Sequence, residues 1–256
     1  MTRTIIAANW KEHPVTMKDA QRLFDATMRA AVASPQAEVL VCPPAIFLEE
    51  LAARMPRGAR NASLGAQDVF WEEEGAFTGS VGPRMLKAIG VRYVIIGHSE
   101  RRRVFGETDA MVNKKVRAAY AGGLMPIVCV GEPPEVRRKG VAAARRHIAH
   151  QLARGLKDAF PQGPHGSGAR GIIVAYEPLW AIGSGKNDSP ADAAGMAAFI
   201  TSSIKRPSVK VLYGGSVDSA NVREYVQLKE IDGALVGGAS LVAKEFDALI
   251  RRSLAK

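Results

Sequence analysis

The chain has 256 residues, 47% of them apolar and 23% charged, enough for a large core built without disulfide or metal staples. A net charge of +10 favours an anionic substrate, but the basic residues fall in short clusters (101–103, 137–139, 145–146). No zinc-ligand spacing, aromatic RNA-binding motif or basic tail accompanies them, which argues against a nucleic-acid partner, and no apolar run reaches the roughly 18 residues of a membrane span.

Short apolar runs rich in β-formers recur at 4–8, 38–42, 63–66, 93–96, 126–130, 172–176, 209–213 and 234–236. Several lack any alternation, as parallel strands buried on both faces require. Helical patterns fill gaps between them at 17–32, 109–120, 136–160, 190–204 and 246–254. Ser189-Pro190 supplies a cap and a first-turn proline, and Asp218 or Ser219 can cap the helix before Tyr225. Eight strand–helix units predict an α/β fold, a (β/α)8 barrel forming a single domain over residues 1–256. A doubly wound sheet is the alternative, but it wants a Gly-rich turn after the first strand, where Asn9-Trp10-Lys11 stands. The stretch 161–168 reads as a surface loop on the face away from chemistry.

In such a barrel the strand C-termini share one mouth, so the residues after each strand are the candidates. After the first strand comes Lys11, which can neutralise a phosphate or a developing enolate, or can be a snorkelling surface lysine. The second and fifth strands carry Cys42 and Cys129 inside apolar runs, which reads as reduced core cysteines of a cytoplasmic protein. The apolar part of the first run is too short for a signal peptide. After the third strand, residues 65–80 are too long and too aromatic for an ordinary exposed loop.

The fourth strand leads into His98, ahead of a helical turn whose N–H groups disfavour added positive charge. A neutral imidazole there can donate to a carbonyl and return a proton; a structural histidine is the alternative. The sixth strand ends in Glu177-Pro178, which aims a carboxylate into a poorly solvated mouth and stiffens the exit. Leu179, Trp180 and Ile182 follow, then Gly183 and Gly185, the composition of a hinged lid. Gly214-Gly215-Ser216 follows the seventh strand and Gly237-Gly238 the eighth, where paired glycines let backbone N–H groups approach a phosphate.

These motifs, Ala8-Asn9-Trp10-Lys11, Gly97-His98-Ser99-Glu100-Arg101, Tyr176-Glu177-Pro178, Trp180 to Lys186, Tyr213 to Ser216 and Val236 to Ser240, stand in one order along the whole chain. In that order the chain resembles the triosephosphate isomerase family of TIM barrels. The resemblance implies interconversion of dihydroxyacetone phosphate and D-glyceraldehyde 3-phosphate through an enediolate, in glycolysis and gluconeogenesis. It implies Glu177 as the base, a neutral His98 as electrophile, Asn9 and Lys11 as substrate contacts, and Glu100 as a buried acid beside the site. Gly183, Ser216, Gly237 and Gly238 would bind phosphate, and no cofactor or metal would be needed. It also implies a homodimer through the loop 65–82, with Thr78 near the partner's site. Asp68 stands where that family has asparagine and Ser80 where it has the glutamate that pairs with Arg101, so that ion pair is lost or replaced. Two rival functions share part of the pattern: an isomerase of a four-carbon sugar phosphate of the erythrulose type, and a non-catalytic phosphate-binding barrel.

Overall fold

The computed structural model describes residues 3–160, 171–181, 188–204, 206 and 208–255. Eight parallel strands close on themselves in chain order: β1 (Thr4–Asn9), β2 (Ala37–Cys42), β3 (Ala62–Ala66), β4 (Tyr93–Ile96), β5 (Met125–Val130), β6 (Ile172–Tyr176), β7 (Val209–Tyr213) and β8 (Gly233–Val236). The seam is β8 against β1, with Ala7 opposite Leu235 and Ala8 opposite Val236. The loop 161–168 lies outside the described residues.

Strand periodicity divides the core in two. Ile5, Ala7, Leu40, Cys42, Ile95, Ile127, Cys129, Ile173, Ala175, Leu212 and Leu235 point inward and fill the barrel. Their neighbours, such as Ile6, Ala8, Val41, Ile96 and Val174, point outward and pack beneath the helices. Both cysteines sit in the inner set, fully buried and unpaired.

The longer helices each bury one stripe on the barrel. In α1 (Met17–Val32), Thr16 Oγ1 accepts the Asp19 amide at 3.2 Å, and Ala20, Phe24, Thr27, Met28 and Ala31 face the strands. Burying the Phe24 ring alone contributes about 2 kcal/mol. The remaining helices of the first half are α2 (Leu48–Ala53), α3 (Pro83–Ala88), α4 (Ser99–Phe105) and α5 (Asp109–Ala121). The second half holds α6 (Pro134–Arg137), α7 (Val141–Gly155), α8 (Pro190–Ser203), α9 (Val222–Val226) and α10 (Ala243–Ser253).

Two expectations need correction. The single helix expected at 136–160 is α6 and α7, separated at Gly140, whose φ of +90° no other residue type adopts readily. Before α9 the cap position is Asn221; Asp218 Oδ1 instead accepts the amides of Ala220 and Asn221, tightening the preceding turn. The Ser189 cap does form, with Oγ accepting from Asp192 N at 3.1 Å.

Candidate active site

At the end of β1 the chain turns through Lys11, whose backbone is left-handed at φ +53°. For a residue with a Cβ this costs about 1 kcal/mol or more, so other bonds must hold the turn. Asn9 Oδ1 accepts the Lys11 amide at 3.1 Å, and Gln67 Nε2 donates to the carbonyls of Lys11 and Cys42, each at 2.8 Å. The Lys11 ammonium thereby reaches Glu100, donating to Oε1 at 2.7 Å. Glu100 is not the buried acid that the resemblance implied: its side chain is 39% exposed at the rim. Burial raises its carboxyl's proton affinity, but the Lys11 bond and charge pull harder, and it ends below the ordinary glutamate range.

His98 follows β4 and caps α4. The turn depends on Gly97, held at φ +74°, where a Cβ would press on Val112 Cγ2 at 2.9 Å. Glu107 Oε1 accepts the Gly97 amide at 3.0 Å, and Arg102 Nε donates to its carbonyl at 2.8 Å. The imidazole is buried, its Nδ1 accepting the Glu100 amide at 3.3 Å and its Nε2 standing 3.0 Å from Glu177 Oε1. That places the neutral ring's proton on Nε2.

Burial favours the uncharged ring, the state expected from the sequence on the ground of the helix start. The carboxylates of Glu177 and Glu100 outweigh it, and His98 sits above its ordinary value. The helix start is readable from the sequence, whereas the two carboxylates converge on the ring from different segments only in the fold.

Glu177 leaves β6 with its amide donated to Val130 O at 2.8 Å, and its carboxylate is 2% exposed. The costly alternative of an unpaired acid is avoided, because Oε2 accepts the Ser99 amide at 2.9 Å while Oε1 faces His98. Asn9, Lys11, His98 and Glu177 line one cavity of about 310 Å³ with Gly214, Gly215, Ser216, Gly237 and Gly238. A Cβ on Gly215 would strike the Tyr213 hydroxyl, and Gly237 lies beside the end of the Lys11 side chain. Gly238 begins a short 3-10 turn, closed when Ser240 N–H donates to Gly237 O at 2.9 Å. Gly183 and Gly185 lie outside the described residues.

The Arg101 ion pair is replaced within the chain. Arg101 Nη2 meets Asp68 Oδ2 at 2.8 Å, and its Nε donates to Glu107 Oε2 at 2.9 Å. Buried Lys115 closes a ring of four charges by donating to Asp68 at 2.6 Å and to Glu107 at 2.9 Å. Since Glu107 also holds Gly97, this ring anchors the His98 turn to the base of the 65–82 loop. Sequence reasoning missed Gln67, Glu107 and Lys115. Gln67 directly follows β3, so the strand-end rule that flagged His98 points to it as well.

The triosephosphate isomerase family profile matches residues 4–253. Among curated relatives, proteins named triosephosphate isomerase in Moorella thermoacetica and Thermoanaerobacter sp. are each 46% identical. The first is aligned over 98% of both chains, the second over 98% of this chain and 99% of its own. The protein of that name in Citrifermentans bemidjiense is 44% identical, over 99% of this chain and all of its own. With the closed barrel, the strand-end carboxylate and imidazole and near-complete coverage all in agreement, this chain belongs to the triosephosphate isomerase family.

Proposed function

We propose that Glu177 is the general base and His98 the electrophile of an aldose–ketose isomerisation at the β1, β4 and β6 ends. The chain is a triosephosphate isomerase, interconverting dihydroxyacetone phosphate and D-glyceraldehyde 3-phosphate. The observation that carries the assignment of roles is the pair itself. A buried carboxylate and an imidazole stand 3.0 Å apart over a cavity that also holds a lysine and two glycine turns.

In the free chain each of the pair occupies the other. A triose phosphate between them separates the two: the carboxylate takes the proton from carbon, and Nε2–H donates to the carbonyl oxygen. Losing Glu177 as neighbour removes the main influence that raised His98's proton affinity. Burial, Lys11 and the start of α4 remain and favour the neutral ring, against the Glu100 carboxylate alone. The imidazole can then pass protons between the two enediolate oxygens, after which Glu177 returns its proton to the neighbouring carbon. Lys11 stabilises the negative charge, with Asn9 and Glu100 holding its position. Ser216, Gly237 and Gly238 offer backbone N–H groups to the phosphate. Gly183, outside the described residues, is a further phosphate contact that the family membership suggests. A coupled assay on glyceraldehyde 3-phosphate, with erythrulose phosphates alongside, tests this. Fast triose turnover is expected, and activity on the four-carbon sugars alone would overturn it.

The second part of the proposal is a cytoplasmic homodimer formed through the loop 65–82. Residues 72–80 are exposed along their whole length, Phe77 among them although it packs on Phe70 at 4.8 Å between ring centroids. Ile46, Met85, Val104 and Phe105 are exposed as well, more large apolar surface than a lone chain gains by showing. Thr78, at the exposed tip, would reach the partner's site. Analytical ultracentrifugation should return a species of twice the 27.4 kDa chain mass. A fully active monomer would sink the dimer.

A further inference from the structure

Behind the residues that follow Glu177 lies a group of buried acids with too few donors. Glu132, in the turn after β5, is fully buried; Oε1 accepts from the Tyr176 hydroxyl at 3.1 Å and from Trp180 Nε1 at 2.9 Å. Its Oε2 has no hydrogen-bond partner among the described residues. Asp188, one residue before the Ser189 cap of α8, is 1% exposed. Its Oδ2 lies 3.4 Å from the same Tyr176 hydroxyl, and its Oδ1 has no hydrogen-bond partner among the described residues. Arg137 faces both acids, but only at 3.8 Å from Glu132 and 3.6 Å from Asp188. Its close bond, 2.9 Å, goes to Asp192 in the first turn of α8, and its guanidinium lies over the Trp180 ring.

A phenol has one proton, so Tyr176 can satisfy only one of these carboxylates at a time. Among the described residues, four carboxylate oxygens therefore meet two close side-chain donors besides a Ser189 backbone bond to Asp188, in a place where unpaired buried charge is strongly disfavoured. One added proton would supply a third donor and halve the buried negative charge. We propose that Asp188 is a positioning residue that takes up this proton in mildly acidic solution, and that its protonated carboxyl, with Tyr176 and Glu132, then ties Trp180 and the start of α8 to one buried node. Tyr176 directly precedes Glu177, so the node fixes the strand end that carries the base. That catalytic meaning rests on the reading of Glu177 given above; the proton itself does not.

The surroundings agree. Burial acts first on Asp188, and the charges of Asp192 and Glu132 add to it against Arg137 and a Ser189 backbone bond, so that its carboxyl is raised to about 6. Tyr213 from β7 and Tyr225 from α9 face it as neutral phenols, Tyr225 donating to the Asp188 carbonyl at 2.8 Å. His147 on α7, which faces Glu132, is held below its ordinary value by burial and brings no positive charge at neutral pH. Because the folded chain keeps a proton that the unfolded chain loses near 3.8, this group's contribution to stability falls as pH rises from about 4 to about 6 and stays low above.

The test follows the Trp180 indole signal in protein labelled with ¹⁵N-tryptophan, from pH 4.5 to pH 8, in the parent and in Asp188→Asn. The parent signal should move with a midpoint near pH 6, and the asparagine variant, which carries a permanent donor, should show no such movement. The variant's Tm should exceed the parent's by roughly 4 °C at pH 8, with the difference shrinking toward pH 4.5. A flat parent signal, a midpoint that survives in Asp188→Asn, or a Tm difference independent of pH would each overturn the proposal. Neither readout needs turnover, so an error in the role of Glu177 would not be mistaken for an error here.

Discussion

Glu177→Gln should lower kcat by about a thousandfold or more while leaving KM and the melting temperature close to the parent's. The amide keeps a carbonyl oxygen for the Ser99 N–H and nearly the same volume in a site that is 2% exposed, so packing and the His98 turn persist. What disappears is the lone pair basic enough to take a proton from carbon. Glu177→Asp separates charge from reach: it remains an acid, but one methylene shorter it cannot span from the β6 end to the substrate carbon, and about a hundredfold loss is expected. Steady-state kinetics with circular dichroism on both variants decides the matter. Unchanged turnover in either would refute Glu177 as the base.

Lys11→Met should be the second most damaging change, lowering kcat by a hundred- to a thousandfold and raising KM as well. Among the described residues lining the cavity, Lys11 alone carries a fixed positive charge, whereas Glu177 and Asp218 are acids. A phosphorylated substrate adds more negative charge, and the enediolate adds it at the carbon being deprotonated. Methionine keeps the apolar stem that packs against Gly237, but leaves both the substrate and Glu100 without their ammonium. The chain should still fold, since the Lys11–Glu100 pair is more than a third exposed and contributes little to stability. Lys11→Arg should not restore full activity, because the bulkier planar fork does not fit where the ammonium sits. A loss under tenfold in Lys11→Met would remove the lysine from the mechanism.

The strands and their ends were legible in the sequence because a parallel barrel buries both faces of every strand, so apolar runs stand out without periodicity. That same geometry gathered Asn9, Lys11, His98, Glu177 and the two glycine turns from five stretches of chain into one cavity. Two short helices, Leu48–Ala53 and Pro83–Ala88, escaped because six residues make fewer than two turns, too few for a helical period to register. Glu107 escaped for a different reason. It lies between two helices, away from any strand end, and gains its role only when the fold brings Gly97, Arg101 and Lys115 around it. His98 shows the same limit: its position was readable, but its proton affinity is set by partners 2 and 79 residues away in sequence. Asp68 was visible as a departure from the family pattern, and the closed ring with Lys115 shows why the chain tolerates serine at position 80.

The placement of Cys42 and Cys129 inside the barrel gives the chain a built-in clock. Both thiols are fully buried, and burial pushes the Cys42 thiol up to about 12 and Cys129 in the same direction, so neither presents a thiolate to solvent in the closed state. An alkylating reagent can therefore reach them only when strands part. At reagent concentrations high enough to outpace reclosing, the rate at which the two sulfurs are labelled counts how often the barrel opens, and at lower ones it follows the population of the open form. Because Cys42 belongs to β2 and Cys129 to β5, unequal rates would reveal that one side of the barrel opens ahead of the other, and equal rates that it opens as a whole.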